Sequence, residues 1–185
     1  HAAPSGGPSV EDWFPLLSRR KDGPWLAHRL DADTACCLVI ALRRTPLLAA
    51  QTAQGVRGHV AEIGVFEGRF FIALALCAQP GERAIATDVF TWPDEGVAER
   101  FLANCRSAGV NRDIVVVQKA ATQNLTREAY RQAAGGPIRF LHIDGAHNYD
   151  GVLHDLQLAK AVLHPQGVIC LDDVLHPRYP ALTIA

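Results

Sequence analysis

The stretch His59-Val-Ala-Glu-Ile-Gly-Val-Phe-Glu-Gly68 joins a short apolar run to a turn that contains two glycines. Such a run, followed by glycine and then by a mostly apolar segment, is typical of a buried β-strand that leads through a tight turn into an α-helix. We therefore predict a strand over residues 59–65 and a helix over residues 68–79.

The same alternation of strand and helix continues towards the C-terminus. Strands that alternate with helices form βαβ units, in which the strands run parallel and the crossovers are right-handed. The sequence thus predicts an α/β fold, a Rossmann-like parallel sheet with helices on both faces. The further predicted strands are 84–90, 113–120, 138–145 and 167–174, and the further predicted helices are 94–108, 126–134 and 149–163, the last ended by a turn at Pro165-Gln-Gly167.

The first part of the chain has a different pattern. Residues 1–55 contain no convincing strand, and we interpret them as a leader followed by an N-terminal helical cap, with helices at 10–18 and 33–54. Residues 56–185 then form the core. The apolar positions near Cys36–Leu48 could serve a homo-oligomer.

Composition narrows the class of protein. The chain has 185 residues, 49% of them hydrophobic and 20% charged, with a net charge of −1. Without a strong field of one sign, neither nucleic acid nor an anionic membrane is expected as the main partner. No apolar run approaches the length of a membrane span. The five cysteines show no paired metal spacing, so we read them as core residues in a reducing compartment and expect a cytoplasmic protein.

The glycine turn points to the kind of ligand. Its spacing is E-x-G-x-x-x-G, from Glu62 through Gly64 to Gly68, and Phe66 stands where a dinucleotide-binding loop needs its second glycine. A carboxylate at Asp88, which ends the second strand, can accept hydrogen bonds from both ribose hydroxyls. A ligand with a ribose, an ammonium group and no pyrophosphate fits, and S-adenosylmethionine is such a ligand. Alternatively, the glycines only form the turn and Asp88 caps the next one.

Acidic residues follow the fourth and fifth predicted strands. Asp144 ends the fourth strand, and Asp172 and Asp173 end the fifth. If these strands are neighbours, about 4.8 Å apart, the three carboxylates meet and raise one another's pKa unless a cation neutralises them. Oxygen ligands suit Mg²⁺, with Mn²⁺ or Ca²⁺ as substitutes. The alternative is that the acids cap turns, and Asp172 could support the ligands rather than bind the metal.

Two histidines lie close to these acids. His147 follows Asp144 by three residues, on the loop at the same edge of the sheet, where a neutral imidazole can accept a proton as a general base. It could instead bind an acid or cap the helix that starts near Tyr149. His142 lies inside the fourth strand, and we expect a hydrogen-bonded core residue there.

Three stretches carry a family resemblance: Val60–Gly68, Phe140–Gly151 and Pro165–Val174. On these, residues 57–176 resemble class I S-adenosylmethionine-dependent methyltransferases. The nearer likeness is to small-molecule O-methyltransferases related to macrolide sugar and rhamnosyl O-methyltransferases and to cephalosporin hydroxylase. The resemblance implies S-adenosylmethionine in the Gly64 loop with Asp88 on the ribose, a metal held by the strand-end acids, and a catalytic histidine at His147. It also implies a small-molecule hydroxyl as the methyl acceptor.

The resemblance has departures and rivals. Lys119-Ala-Ala121 follows the third strand where relatives often carry an acidic or small polar residue near the adenine. Relatives also end in an antiparallel hairpin, which we expect to be missing from this chain. The rivals are an oxidative enzyme like cephalosporin hydroxylase, a non-catalytic nucleoside-binding module and a nicotinamide oxidoreductase. Against the oxidative enzyme, no set of two histidines and one carboxylate that could hold a redox metal is evident. Phe66 argues against the nicotinamide oxidoreductase.

Overall fold

A single parallel sheet organises the computed structural model, which describes residues 46–184. The described strands lie in the order β3-β2-β1-β4-β5, and each pairs in parallel with its neighbour. The predicted Rossmann-like parallel sheet is therefore confirmed. Its strands are β1 (His59–Ile63), β2 (Ala84–Asp88), β3 (Val115–Lys119), β4 (Ile138–Ile143) and β5 (Leu163–Leu171).

Helices cover both faces of this sheet. The helices are α1 (46–53), α2 (Arg69–Leu76), α3 (Val97–Ser107), α4 (Arg127–Ala134), α5 (Tyr149–Val162) and α6 (Ala181–Ile184), with 3₁₀ turns at Arg112–Ile114 and Thr122–Asn124. Side chains of β1 alternate between two apolar clusters: Val60 packs with the cluster of α1, α2 and α3, and Ala61 with that of α4 and α5. This alternation is what a strand buried on both faces requires.

Two helices begin where the sequence indicates. The hydroxyl of Thr126 accepts a hydrogen bond from the backbone N–H of Ala129 (3.1 Å), which caps α4. The side chain of Asn148 accepts one from the N–H of Gly151 (2.9 Å), which caps α5. Such caps satisfy backbone donors that have no partner within the helix.

The start of β5 differs from the prediction. Leu163 follows α5 directly and pairs with Ile138, whereas Val168 pairs with Phe140 two residues further along β4. The residues at 165–167 are therefore an irregularity inside β5 rather than a turn before it. Proline is tolerated there because β5 has no partner on its outer side within the described residues, so no ladder hydrogen bond needs its missing N–H.

A buried ion pair secures the amino ends of the strands. Arg139 on β4 has no exposed side-chain surface and lies 2.9 Å from Glu82. Its guanidinium also donates to the backbone oxygens of Leu48 (3.2 Å) and Cys77 (3.2 Å), and the amide of Gln51 donates to the Arg139 carbonyl (2.9 Å). These contacts attach α1 and the end of α2 to the sheet.

The N-terminal predictions are only partly described. The helix at 10–18 and the first part of the helix at 33–54 lie outside the described residues, as does Cys36. Leu48, at the end of the segment considered for a homo-oligomer, is only 2% exposed and packs in the core. Among residues 46–184, no helix combines the length and apolar character that crossing a membrane demands.

Candidate active site

The loops after β1 and β4 touch each other at the carboxyl edge of the sheet. Gly64 has a φ of +82°, and a Cβ placed on it would overlap the backbone oxygen of Asp144. The Gly64 N–H donates to the carbonyl of Thr87 on β2 (2.9 Å). Since the strand order reverses between β1 and β4, this is the crevice in which open α/β sheets bind their ligands.

Gly68, the second glycine of the turn, allows close packing between two helices. Its φ is +88°, and a Cβ there would come within 2.7 Å of the Phe101 ring. The residue thus lets α2 begin close against α3. Both predicted glycine positions are sites that a larger residue could not occupy without displacing a neighbour.

Asp88 holds the glycine loop in place. Its Oδ2 accepts a hydrogen bond from the N–H of Phe66 (2.8 Å), and its Oδ1 accepts one from the N–H of Phe90 (2.7 Å). The carboxylate therefore joins the loop after β1 to the loop after β2. It caps the turn, as the alternative interpretation has it, and it also lies beside the Gly64 loop, as the ribose role requires.

Glu62 lies deeper than the sequence suggests. It is 2% exposed and accepts a hydrogen bond from His142 Nδ1 (2.8 Å). The two residues pair in register across β1 and β4, so their side chains lie side by side on one face of the sheet. The structure thus gives Glu62 a partner within the core. The expectation that His142 is a hydrogen-bonded core residue is confirmed.

His142 lies between two carboxylates. Its Nε2 lies 3.5 Å from Asp172 Oδ2, on the side opposite Glu62, and its ring lies 4.0 Å from the Phe70 ring. Burial acts to lower the pKa of His142, but its interactions with Asp172 and Glu62 outweigh that effect and raise the pKa to about 9. Burial also raises the pKa of Glu62, and the hydrogen bond from His142 opposes the shift.

A second group of side chains could hold a cation. Asp144, His147 and Asp173 each offer a ligand atom, and these atoms lie within 4.8 Å of one another. His147 Nε2 is 3.0 Å from Asp173 Oδ2 and 3.6 Å from Asp144 Oδ1. Two carboxylate oxygens and an imidazole nitrogen are a donor set suited to Mn²⁺. Mg²⁺ prefers oxygen ligands, so it would use the two carboxylates rather than the imidazole.

Asp172 faces away from that group. Its Oδ1 accepts a hydrogen bond from the N–H of Asp173 (2.9 Å), and its Oδ2 is the oxygen beside His142. The structure therefore brings Asp144 and Asp173 together, as the sequence predicts, with His147 rather than Asp172 as the third side chain. The cap of α5 belongs to Asn148, which leaves His147 available to the acids.

The electrostatics at Asp144 reflect this crowding. Burial raises the pKa of Asp144 to about 7; the charge of His142 opposes the shift, and the neighbouring carboxylates of Asp172, Glu62 and Asp173 add to it. A divalent cation on the Asp144 carboxylate would relieve this repulsion. The residues present thus fit the predicted metal, because they offer ligand atoms close together and a negative charge that a cation would balance.

An aromatic residue that sequence reasoning missed lies against His147. The centre of the Tyr179 ring lies 4.2 Å from that of His147, with the two rings tilted, and 4.8 Å from that of His176, with the two rings stacked. Tyr179 lies in the segment that follows β5, where the sequence has no periodic pattern. Only the cluster of ring-bearing residues between 176 and 179 could have indicated it.

Comparisons with known proteins support the fold and show the family. A family model described as a methyltransferase domain matches residues 61–174. The chain is similar to CalS11, a TDP-rhamnose 3′-O-methyltransferase of calicheamicin biosynthesis, with 16% identity and a TM-score of 0.66 over 97% of this chain and 85% of that one. The O-methyltransferase NovP is 16% identical, with a TM-score of 0.67 over 80% of this chain and 69% of that one. A Bacillus cereus O-methyltransferase in complex with SAH is 20% identical, with a TM-score of 0.57 over 86% of this chain and 78% of that one. No curated protein matches the sequence.

Proposed function

This chain belongs to the methyltransferase-domain family, and we propose that it transfers a methyl group from S-adenosylmethionine to a hydroxyl of a small molecule with the help of a divalent cation. One observation carries the proposal. The loop after β1 contacts the strand end that bears Asp144, so a cofactor in the glycine turn would lie next to the group of Asp144, His147 and Asp173.

The glycine loop and Asp88 would bind the cofactor. Asp88 fixes the loop through the N–H of Phe66, and each of its oxygens retains a lone pair that can accept a hydrogen bond from a ribose hydroxyl. The methionine part of the cofactor would lie along the backbone of the Gly64 turn. Glu62 would support the cofactor loop from the core, because it is buried there against His142.

The second group would bind and activate the acceptor. Asp144, Asp173 and, through the turn that it supports, Asp172 would hold a divalent cation, which when bound lowers the pKa of a hydroxyl that it coordinates. His147 would accept the hydroxyl proton at Nε2, and the Asp173 carboxylate, 3.0 Å away, would stabilise the imidazolium that forms. The protein would also hold the acceptor oxygen in line with the methyl group of S-adenosylmethionine, which speeds the transfer through positioning alone.

The acceptor is proposed to be a sugar or a natural-product-like molecule. Two structures that the chain resembles are named as an O-methyltransferase for TDP-rhamnose and the O-methyltransferase NovP. In this chain the neighbouring rings of His147, Tyr179 and His176 lie beside the group of acids. Sugars and other ring compounds pack well on such aromatic surfaces.

Binding and turnover can be measured separately. Calorimetry with S-adenosylhomocysteine tests the cofactor site, and formation of S-adenosylhomocysteine from S-adenosylmethionine, with nucleotide-linked deoxysugars and catechols as acceptors, tests transfer. We expect binding without metal and turnover only with Mg²⁺ or Mn²⁺. Failure to bind S-adenosylhomocysteine would refute the function as a whole. Turnover that survives exhaustive chelation would refute the role of the cation alone, and binding without turnover on any acceptor would favour a nucleoside-binding module.

A further inference from the structure

A row of three side chains crosses the sheet from the cofactor loop towards the acids: two of them are buried, and the third, Asp172, is 19% exposed. Glu62 on β1, His142 on β4 and Asp172 at the end of β5 lie on neighbouring strands, with 2.8 Å between the first pair and 3.5 Å between the second. None of the three belongs to the group of ligand atoms formed by Asp144, His147 and Asp173. The row therefore needs a separate explanation.

The far end of the row supports a strained turn. Asp173 has a φ of +54°, which lies in the left-handed region that non-glycine residues adopt only at a cost. Its N–H donates to Asp172 Oδ1 (2.9 Å), and its carbonyl accepts a hydrogen bond from the N–H of His176 (2.9 Å). This conformation directs the Asp173 carboxylate to His147, 3.0 Å away. The position of Asp173 thus depends on where the Asp172 side chain is held.

The near end of the row fixes the imidazole. The His142 side chain is 2% exposed and Glu62 3% exposed, and the Phe70 ring packs 4.0 Å from the imidazole. The ring can therefore turn neither towards solvent nor away from Glu62. With Nδ1 donating to Glu62, Nε2 lies 3.5 Å from Asp172 Oδ2, a distance at which the ring and the carboxylate attract each other by charge.

We propose that His142 is a positioning residue for the cation site: held by Glu62, it fixes Asp172, and Asp172 in turn fixes the Asp173 carboxylate. The inference rests on the proposed function, because it assumes that Asp144 and Asp173 bind a divalent ion. Residues that orient metal ligands without touching the metal typically contribute about 10–100-fold to metal affinity.

Two amide variants separate the two ends of the imidazole. In His142→Asn the side-chain nitrogen stands where Nδ1 is, so it can still donate to Glu62 but does not reach Asp172. In His142→Gln the nitrogen stands near the position of Nε2, so it can donate to Asp172. The affinity for Mn²⁺ is measured by electron paramagnetic resonance without cofactor, and the affinity for S-adenosylhomocysteine by calorimetry.

We expect His142→Asn to weaken Mn²⁺ binding by about 10–100-fold and His142→Gln to weaken it much less, with S-adenosylhomocysteine affinity similar in both. The control is His154→Asn: His154 lies on α5 outside both groups, with its Nε2 3.1 Å from the Leu125 carbonyl, and both affinities should stay at the wild-type value. If His142→Asn does not fold, Glu62→Gln provides the test. It retains an acceptor for Nδ1 but loses the charge, and it should weaken Mn²⁺ binding by a smaller factor.

Three results would overturn the inference. Equal Mn²⁺ affinity in the wild type and all three row variants would show that the row does not act on the cation site. Equal losses of both affinities in His142→Asn and His142→Gln would show a purely structural role. A wild-type protein that binds S-adenosylhomocysteine but no Mn²⁺ would remove the cation part of the proposed function together with the inference, whereas the first two results leave that function standing.

Discussion

Gly64 and the backbone oxygen of Asp144 lie so close together that no side chain fits between them. We expect Gly64→Ala to impair the cofactor loop and the cation site at once, because the alanine Cβ must displace one of the two strand ends. Gly81 is the matched control: its φ is +85°, but nothing lies within 4 Å of the position of a Cβ. Gly81→Ala should lower the free energy of unfolding by only the backbone cost, about 1–2 kcal/mol.

The comparison is made by urea unfolding and by titration of both variants with S-adenosylhomocysteine and Mn²⁺. Gly64→Ala should be the less stable of the two and should bind both ligands more weakly. Equal behaviour of the two variants would mean that the contact with Asp144 is easily relieved.

Removing the Asp88 carboxylate should weaken cofactor binding. We expect Asp88→Ala to lose about 1.5–3 kcal/mol of binding free energy for S-adenosylhomocysteine, as for other hydrogen bonds to charged groups. Part of that loss comes from releasing the N–H of Phe66, which Asp88 holds at 2.8 Å. Calorimetry measures it, with the exposed Glu95→Ala as the control. An unchanged affinity would exclude Asp88 from the cofactor site.

His147 should contribute to turnover more than to binding. As a general base it would supply about 10²–10⁴-fold in kcat, so His147→Ala should lose that factor and bind S-adenosylhomocysteine as before. The affinity for Mn²⁺ distinguishes a base from a ligand, because Nε2 lies within the group of ligand atoms. A base leaves Mn²⁺ affinity nearly unchanged, whereas a large loss would make His147 a metal ligand. His164→Ala, outside this group, serves as the control.

Breaking the buried ion pair should cost stability without touching the site. Arg139→Met leaves Glu82 buried without its cation, and we expect the free energy of unfolding to fall by about 3–5 kcal/mol. The double variant Arg139→Met with Glu82→Gln should recover part of the loss, because the uncompensated charge is gone. Urea denaturation gives both values. If the double variant is no more stable than the single one, the loss comes from the hydrogen bonds to Leu48 and Cys77 instead.

The buried acid on α5 should make stability depend on pH. Burial raises the pKa of Asp155 above its ordinary value of 3.8, while Thr122 and His154 oppose the shift. A carboxyl whose folded pKa is raised stabilises the protein below its ordinary pKa and loses that contribution as pH rises through the folded value. Asp155→Asn should therefore gain stability relative to the wild type as pH rises from 4 to 8. A difference between the two proteins that is independent of pH would contradict this.

The parallel sheet was predictable because its signal is local. Each strand is a short apolar run bounded by turn residues, and parallel strands bring their carboxyl ends to one edge. That rule alone places Asp88, Asp144 and Asp173 at the same edge, and the structure agrees. The start of β5 was not predictable, because proline and glycine at 165–167 are compatible both with a turn and with an irregular edge strand.

Contacts between distant side chains could not be predicted in this way. Glu62 looks like a residue of the cofactor loop until the register with β4 places it beside His142. Arg139 and Glu82 are 57 residues apart in sequence, and only an arginine within the apolar run of β4 hints at their pairing. Both cases depend on strand order and register, which a single sequence does not specify.

The Phe66 ring at the glycine loop lies 5.3 Å from the indole of Trp92, and 70% of the Trp92 surface is exposed. Indole emission depends on the polarity around the ring, so we expect the fluorescence of Trp92 to report on the loop beside it. Filling of the loop by S-adenosylhomocysteine would change the water contact of the indole and shift its fluorescence. Subtracting the spectrum of Trp92→Phe isolates this emission from that of Trp13 and Trp25, so occupancy of the loop can be followed without a label.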